Sequence, residues 1–162
     1  MDELVLRYLG AFGPATVADI QMWSGLTRLR ETVERLPLRR FRAETGITLY
    51  DLPDAPRPSA DTPAPPRFLP AYDNLLLSYK DRTRVISGSR PVPLPPGNGA
   101  TAGTFLVDGM WQGTWQIGDQ TLRIEPFSRL RRADRDALWA EAMRLSAFIA
   151  PKARYDLVLD PL

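Results

Sequence analysis

Residues 53–70 carry seven prolines, at positions 53, 56, 58, 63, 65, 66 and 70. Proline fixes φ and has no N–H to donate, so no regular element is expected to survive at that density. The chain is therefore expected to fold in two regions, residues 1–53 and residues 71–162. Residues 54–70 form an extended, semi-rigid connector between them. With 162 residues, 44% of them apolar, the chain has enough material for one domain or two small ones.

The first region is organised around residues 16–42, TVADIQMWSGLTRLRETVERLPLRRFR. Thr16 is placed to cap a helix, with Asp19 three residues on to answer the free backbone N–H groups. Val17, Ile20 and Trp23 then recur at helical spacing. Ser24-Gly25 ends the helix in a sharp turn. Thr27 is expected to cap the next helix, with Leu29, Val33 and Leu36 inward and Arg28, Thr32 and Arg35 outward. Ahead of this pair, Leu4, Val5, Tyr8, Leu9 and Phe12 form one stripe of a first helix that Gly13-Pro14 closes. Such a layout is a helix-turn-helix whose second helix can enter a DNA groove.

Pro37 stops the third helix, and residues 38–42 and 47–52 read as two strands around Glu44-Thr45-Gly46. Three helices followed by a hairpin is the order of a winged helix, with Arg39, Arg40 and Arg42 on or beside the wing. Between Arg28 and Arg42 lie six arginines and two glutamates, a local balance of +4 (six minus two). That charge suits a phosphate backbone. Arginines also solvate helix faces and guard strand edges in proteins that bind no nucleic acid, and Glu31 and Glu34 would repel phosphate.

Composition limits the chemistry. The net charge is only +2, so any polyanion footprint is local. The chain has no cysteine and no histidine. Disulfides, thiolate or imidazole zinc sites and Ser-His-Asp or Cys-His catalysis are thereby excluded. The lack of cysteine fits a reducing, cytoplasmic setting. No run is long enough to span a membrane, and the Met-Asp-Glu start argues against a secretory leader. There is no Gly-rich phosphate loop with its lysine and no dinucleotide fingerprint. Gly97-Asn98-Gly99 reads as a turn. Asp73, Asp81 and Asp108 sit beside expected turns, where aspartate ordinarily satisfies backbone N–H groups. No catalytic residue, cofactor or metal is nominated.

In the second region, Leu75, Leu76 and Leu77 suggest a buried strand, followed by the cationic Lys80, Arg82 and Arg84 before Val85-Ile86. Residues 91–99 are an irregular Pro/Gly loop. Residues 104–107, 110–117 and 121–127 read as a three-stranded meander, with Asp108-Gly109 as a hairpin turn. Trp111 and Trp115, four apart, are expected to share a face, for core packing or for stacking bases. Residues 132–150 read as an amphipathic helix with Leu138, Ala142, Leu145 and Ile149 inward, widened by Trp139 and Phe148. Residues 155–159 form a last strand. The expected class is α+β: a winged helix-turn-helix domain, then a mostly antiparallel, barrel-like β domain with one long helix.

Three stretches in order, RYLGAFGPATVADIQMWSGL, LPAYDNLLLSYKDRTRVI and PGNGATAGTFLVDGMWQGTWQI, resemble a bacterial family. It is the winged-helix DNA-binding domain family that contains the crosslink-unhooking DNA glycosylases. The resemblance covers nearly the whole chain. It implies that residues 1–52 are the last of several tandem winged helices and that residues 71–162 are the family's C-terminal barrel-like domain. In the glycosylase members, catalysis is assigned to a Gln-x-Gln or Gln-x-Asp type motif in the amino-terminal part. Gln21-Met22-Trp23, Gln112-Gly113-Thr114 and Gln116-Ile117-Gly118 do not match it.

The expected function is therefore binding of double-stranded DNA without catalysis by this chain alone, in concert with an N-terminal half or partner protein. Arg28, Thr32, Arg35, Arg39, Arg40 and Arg42 would make the contacts, and Lys80, Arg82 and Arg84 would extend the cationic track. The alternatives are the C-terminal portion of a DNA glycosylase in alkylation or crosslink repair, or a protein-interaction domain. The last would show Met22, Leu26 and Leu29 exposed together as an apolar patch.

Overall fold

The first helix, α1 (Asp2–Phe12), turns Val5, Tyr8 and Leu9 inward, as its stripe predicts. The computed structural model describes residues 1–88, 102–151 and 156–159. The loop expected over residues 91–99, with its Gly97-Asn98-Gly99 turn, and Tyr155 lie outside the described residues. The chain divides into two compact units, residues 1–61 with 74–82, and residues 62–73 with 83–162.

In the first unit, helix α2 (Val17–Ser24) begins with the expected reciprocal cap between Thr16 and Asp19, and Gly25 ends it at φ 70°. Helix α3 (Arg30–Arg35) is shorter than expected, and Thr27 does not cap it. Arg28 instead takes a left-handed φ of 60°, and the side-chain carbonyl of Gln21 accepts the Leu29 N–H at 3.0 Å. The turn is thus closed from α2, with Gln21 rather than Thr27 answering one of the backbone N–H groups at the start of α3. Strands β1 (Arg39–Arg42) and β2 (Thr48–Asp51) form an antiparallel hairpin, with Arg39 opposite Asp51 and Arg40 opposite Tyr50. Gly46 supplies the positive φ of the tip at 81°. Ala15 and Tyr50 exchange backbone hydrogen bonds at 2.9 and 2.8 Å, tying the α1–α2 loop to β2. Val5, Tyr8, Leu9, Ala15, Ile20, Leu29, Val33 and Tyr50 make the core.

Residues 75–77 are not a strand. Residues Asn74–Leu76 form a single 3-10 turn, because Ser78 Oγ and Leu77 N–H both bond the Asn74 carbonyl. This segment is held by the helices: Tyr8 Oη donates to the Ser78 carbonyl at 2.6 Å, and Tyr79 Oη to the Phe12 carbonyl at 3.0 Å.

The second unit is a five-stranded sheet in the order β3 (Arg67–Leu69), β4 (Gly103–Val107), β5 (Met110–Gly118), β6 (Thr121–Pro126), β7 (Asp156–Leu159). The meander β4–β5–β6 is as expected. Strand β3 is a correction: Pro66 and Pro70 bracket a three-residue strand in the proline-rich stretch. It survives because an edge strand needs N–H donors on one side only. Strand β7 pairs parallel to β6, which a crossover helix, α4 (Arg132–Ile149), makes possible. No barrel closes among the described residues, where β3 and β7 stand at opposite edges.

Helix α4 buries Leu138 and Ala142, with Leu145 alongside, against Phe105, Val107, Leu122 and Ile124. The expected widening of its stripe fails, since Trp139 and Phe148 are exposed, Phe148 by 85%, and Ile149, expected inward at the end of the stripe, is exposed as well. Trp111 and Trp115 do not act as a pair, because a register shift against β4 falls between them. Trp115 joins the α4-facing cluster, whereas Trp111 stacks edge-on with Phe127 at 4.6 Å. No helix among the described residues is long and apolar enough to cross a membrane.

Candidate nucleic-acid interface

Strand β1 reads Arg-Arg-Phe-Arg, and its pleat sorts the four side chains onto two faces. Arg40 and Arg42 share one face. The Arg40 guanidinium lies 5.7 Å from the Tyr50 ring centroid and donates to the Glu34 carbonyl at 3.4 Å. On the other face the Arg39 guanidinium lies over the Phe41 ring at 5.2 Å. A guanidinium stacked on a ring loses little hydrogen-bonding capacity, because its donors lie in its own plane. All three arginines are exposed, and none is paired with a carboxylate among the described residues. The hairpin therefore presents three uncompensated cations within four residues.

The other expected contacts are placed differently. Arg35 is exposed but its guanidinium is bonded to the Asp2 carboxylate at the start of α1. Thr32 is half-buried rather than outward. Arg28 is exposed, on the left-handed residue before α3. In the same unit, the Lys80 side chain is exposed while its backbone N–H is bound by Asp19 at 2.8 Å. Arg82 is half-buried. Its Nε donates to the Leu76 carbonyl at 2.8 Å, and its terminal nitrogen reaches Met22 Sδ at 3.9 Å. Arg84 is exposed and belongs to the second unit.

A further arginine was not apparent in the sequence reading. Arg57, in the proline-rich stretch, donates to the carbonyls of Leu52, Pro53 and Ala55 at 2.6, 3.1 and 2.9 Å. It also lies 3.6 Å from the Asp51 carboxylate and 5.4 Å from the Phe41 ring centroid. Its only sequence signal was a lone cation among prolines.

The arginines at the start of α4 contrast with those of the hairpin. Arg131 is bound by Asp134 at 2.6 Å, and Arg132 and Arg135 each lie 3.8 Å from Asp136. The hydrogen bond and charge of Asp134 raise the Arg131 guanidinium further above its ordinary range. Cations answered this way add little net field.

The apolar patch expected of a protein-interaction surface is not formed. Leu29 is buried in the core and Leu26 half-buried, which leaves Met22 alone of the three exposed. Among the described residues, no cluster of three acidic side chains could hold a metal ion.

A solved structure, the DNA glycosylase AlkZ of Streptomyces sahachiroi, shares this fold with a TM-score of 0.66 at 22% identity, over 98% of this chain and 45% of that one. The interstrand DNA cross-link repair glycosylase of the same organism is 24% identical over 156 residues, 88% of this chain and 41% of the relative. The chain thus spans less than half the length of either. The family model described as "DNA glycosylase AlkZ-like" matches residues 1–148, and the chain belongs to that family.

Proposed function

We propose that the first unit is a winged-helix module that binds double-stranded DNA, with the β1–β2 hairpin as its wing. The observation that carries this reading is the trio Arg39, Arg40 and Arg42, exposed on one strand without a carboxylate partner. Phosphate contacts by arginine position a protein on a duplex and release condensed counterions. Arg28 and Lys80, exposed in the same unit, serve as flanking contacts, and the exposed Arg84 is a separate candidate contact of the second unit. Arg35, answered by Asp2, and Thr32 and Arg82, both half-buried, contribute less.

Membership of the AlkZ-like family favours a specific setting for this module. It is the duplex-holding portion of a glycosylase acting in alkylation or crosslink repair. No Gln-x-Gln or Gln-x-Asp segment is present in these 162 residues, so base removal depends on an N-terminal half or a partner protein. The boundaries that go with this reading are residues 1–53 for the winged helix, 54–70 for the linker, which also supplies β3, and 71–162 for the β domain, less residues 74–82, which pack with the first unit, set in the cytoplasm of a bacterium.

The test is fluorescence anisotropy with a labelled duplex across a salt series. Affinity that falls steeply with salt, and that drops when Arg39 and Arg40 are both replaced by Ala, supports the proposal. Binding unchanged by the double substitution removes the wing from it.

A further inference from the structure

We propose that Arg57 is a positioning residue for Arg39: by occupying the buried Asp51 carboxylate, it leaves the Arg39 guanidinium available to a DNA phosphate. The inference rests on the DNA-binding reading of the hairpin and adds a residue to it.

Arg39 stands directly opposite Asp51 across the hairpin. Side chains of such partners project to the same face with Cβ atoms about 4.5–5.5 Å apart, the separation at which opposite charges pair. Yet Arg39 does not pair with Asp51; its guanidinium lies over Phe41. Asp51 is only 1% exposed. Its Oδ1 accepts the Leu52 N–H at 2.8 Å, and its Oδ2 faces the Arg57 guanidinium at 3.6 Å. A carboxylate removed from water requires a cation or several donors. Arg57 meets that requirement, and the Leu52, Pro53 and Ala55 carbonyls hold it in place. The same guanidinium lies over the Phe41 ring that supports Arg39. Without Arg57, the cation standing directly opposite Asp51 is Arg39, which would turn from solvent to the carboxylate.

The test uses the full chain and two readouts. Modification by phenylglyoxal, mapped by peptide mass spectrometry without DNA, measures how available each guanidinium is. In the wild type, Arg39 is expected to react several-fold faster than Arg57. In Arg57→Gln, Arg39 is expected to slow several-fold. In Arg57→Gln with Asp51→Asn, which removes the competing charge, its rate is expected to return. Duplex affinity should follow the same order. The salt slope of Arg57→Gln should fall by about 0.9, as for Arg39→Ala, and recover in the double variant.

An Arg39 rate unchanged in Arg57→Gln, or no recovery with Asp51→Asn, overturns the inference. Should Arg57→Gln fail to fold, the wild-type rates still decide, since equal reactivity of Arg57 and Arg39 contradicts the arrangement. If the rates behave as expected but Arg39→Ala binds DNA like wild type, the DNA reading of the hairpin fails while the coupling of the two arginines stands.

Discussion

The carboxylate of Asp19 accepts the backbone N–H of Lys80 at 2.8 Å, across 61 residues of sequence. Its other oxygen accepts the Thr16 backbone N–H and the Thr16 hydroxyl, both at 2.8 Å. One buried side chain therefore caps α2 and anchors the segment that carries Lys80 and Arg82. Asp19→Ala removes the reciprocal half of the capping box and leaves the Thr16 and Lys80 peptide N–H groups without their acceptor. The expected loss is about 2–4 kcal/mol, from the ranges for a weakened cap and for unsatisfied polar groups. Asp19→Asn keeps one acceptor oxygen and should lose less. Urea denaturation of both variants checks the order.

A second prediction concerns the sheet. The Phe105 ring covers Gly113 and the Trp115 indole covers Gly103, each across a β4–β5 pair. A Cβ on Gly113 would stand 2.3 Å from Phe105 and 2.4 Å from the Glu125 carbonyl. On Gly103 it would stand 2.2 Å from the indole and 2.7 Å from the Leu69 carbonyl. Because backbone blocks one side in each case, the rings cannot simply move away. Gly113→Ala and Gly103→Ala should each destabilise by about 1–3 kcal/mol. Gly118 has no atom within 4 Å of such a Cβ, so Gly118→Ala should stay within about 0.5 kcal/mol of wild type. Thermal melts of the three variants make the comparison.

The third prediction distinguishes the arginines by their compensation. Arg39→Ala, Arg40→Ala and Arg42→Ala should each lower the slope of log affinity against log salt by about 0.9. Arg131→Ala should leave it unchanged, since Asp134 already answers that charge. A slope that responds equally to Arg131 and to the hairpin arginines would mean that binding follows net charge alone.

These outcomes mark which features local sequence could and could not reveal. The Thr16–Asp19 cap, the Gly25 and Gly46 turns and the β4–β5–β6 meander are local in origin, and each was legible from residue type and spacing. Elements set by distant partners were not. Leu75–Leu77 carries a strand-like run, but the Leu77 N–H and the Ser78 hydroxyl both close on the Asn74 carbonyl, and Tyr8 holds the Ser78 carbonyl. The start of α3 is set by Gln21 on another helix rather than by Thr27. Strand β3 depends on pairing with β4, which outweighs its flanking prolines. At the candidate interface, the exposure of Arg39, Arg40 and Arg42 follows from a short hairpin. The capture of Arg35 by Asp2 and the role of Arg57 depend on contacts that no spacing rule contains.

The Arg35–Asp2 pair permits a test in which stability and binding move in opposite directions. Asp2 lies in the first turn of α1, where a carboxylate favours the helix dipole. Asp2→Asn should therefore cost about 0.3–1 kcal/mol of stability, the range for such a charge on an exposed helix end. The same change releases the Arg35 guanidinium and removes a negative charge beside it. If α3 faces the duplex, affinity should rise by roughly two- to fivefold, the equivalent of a surface ion pair exchanged for a phosphate contact. Arg35→Ala should then weaken binding in the Asp2→Asn background more than it does in the wild type. Anisotropy titrations of the four proteins complete the cycle. A less stable Asp2→Asn protein with unchanged affinity would place the duplex on the hairpin and away from α3.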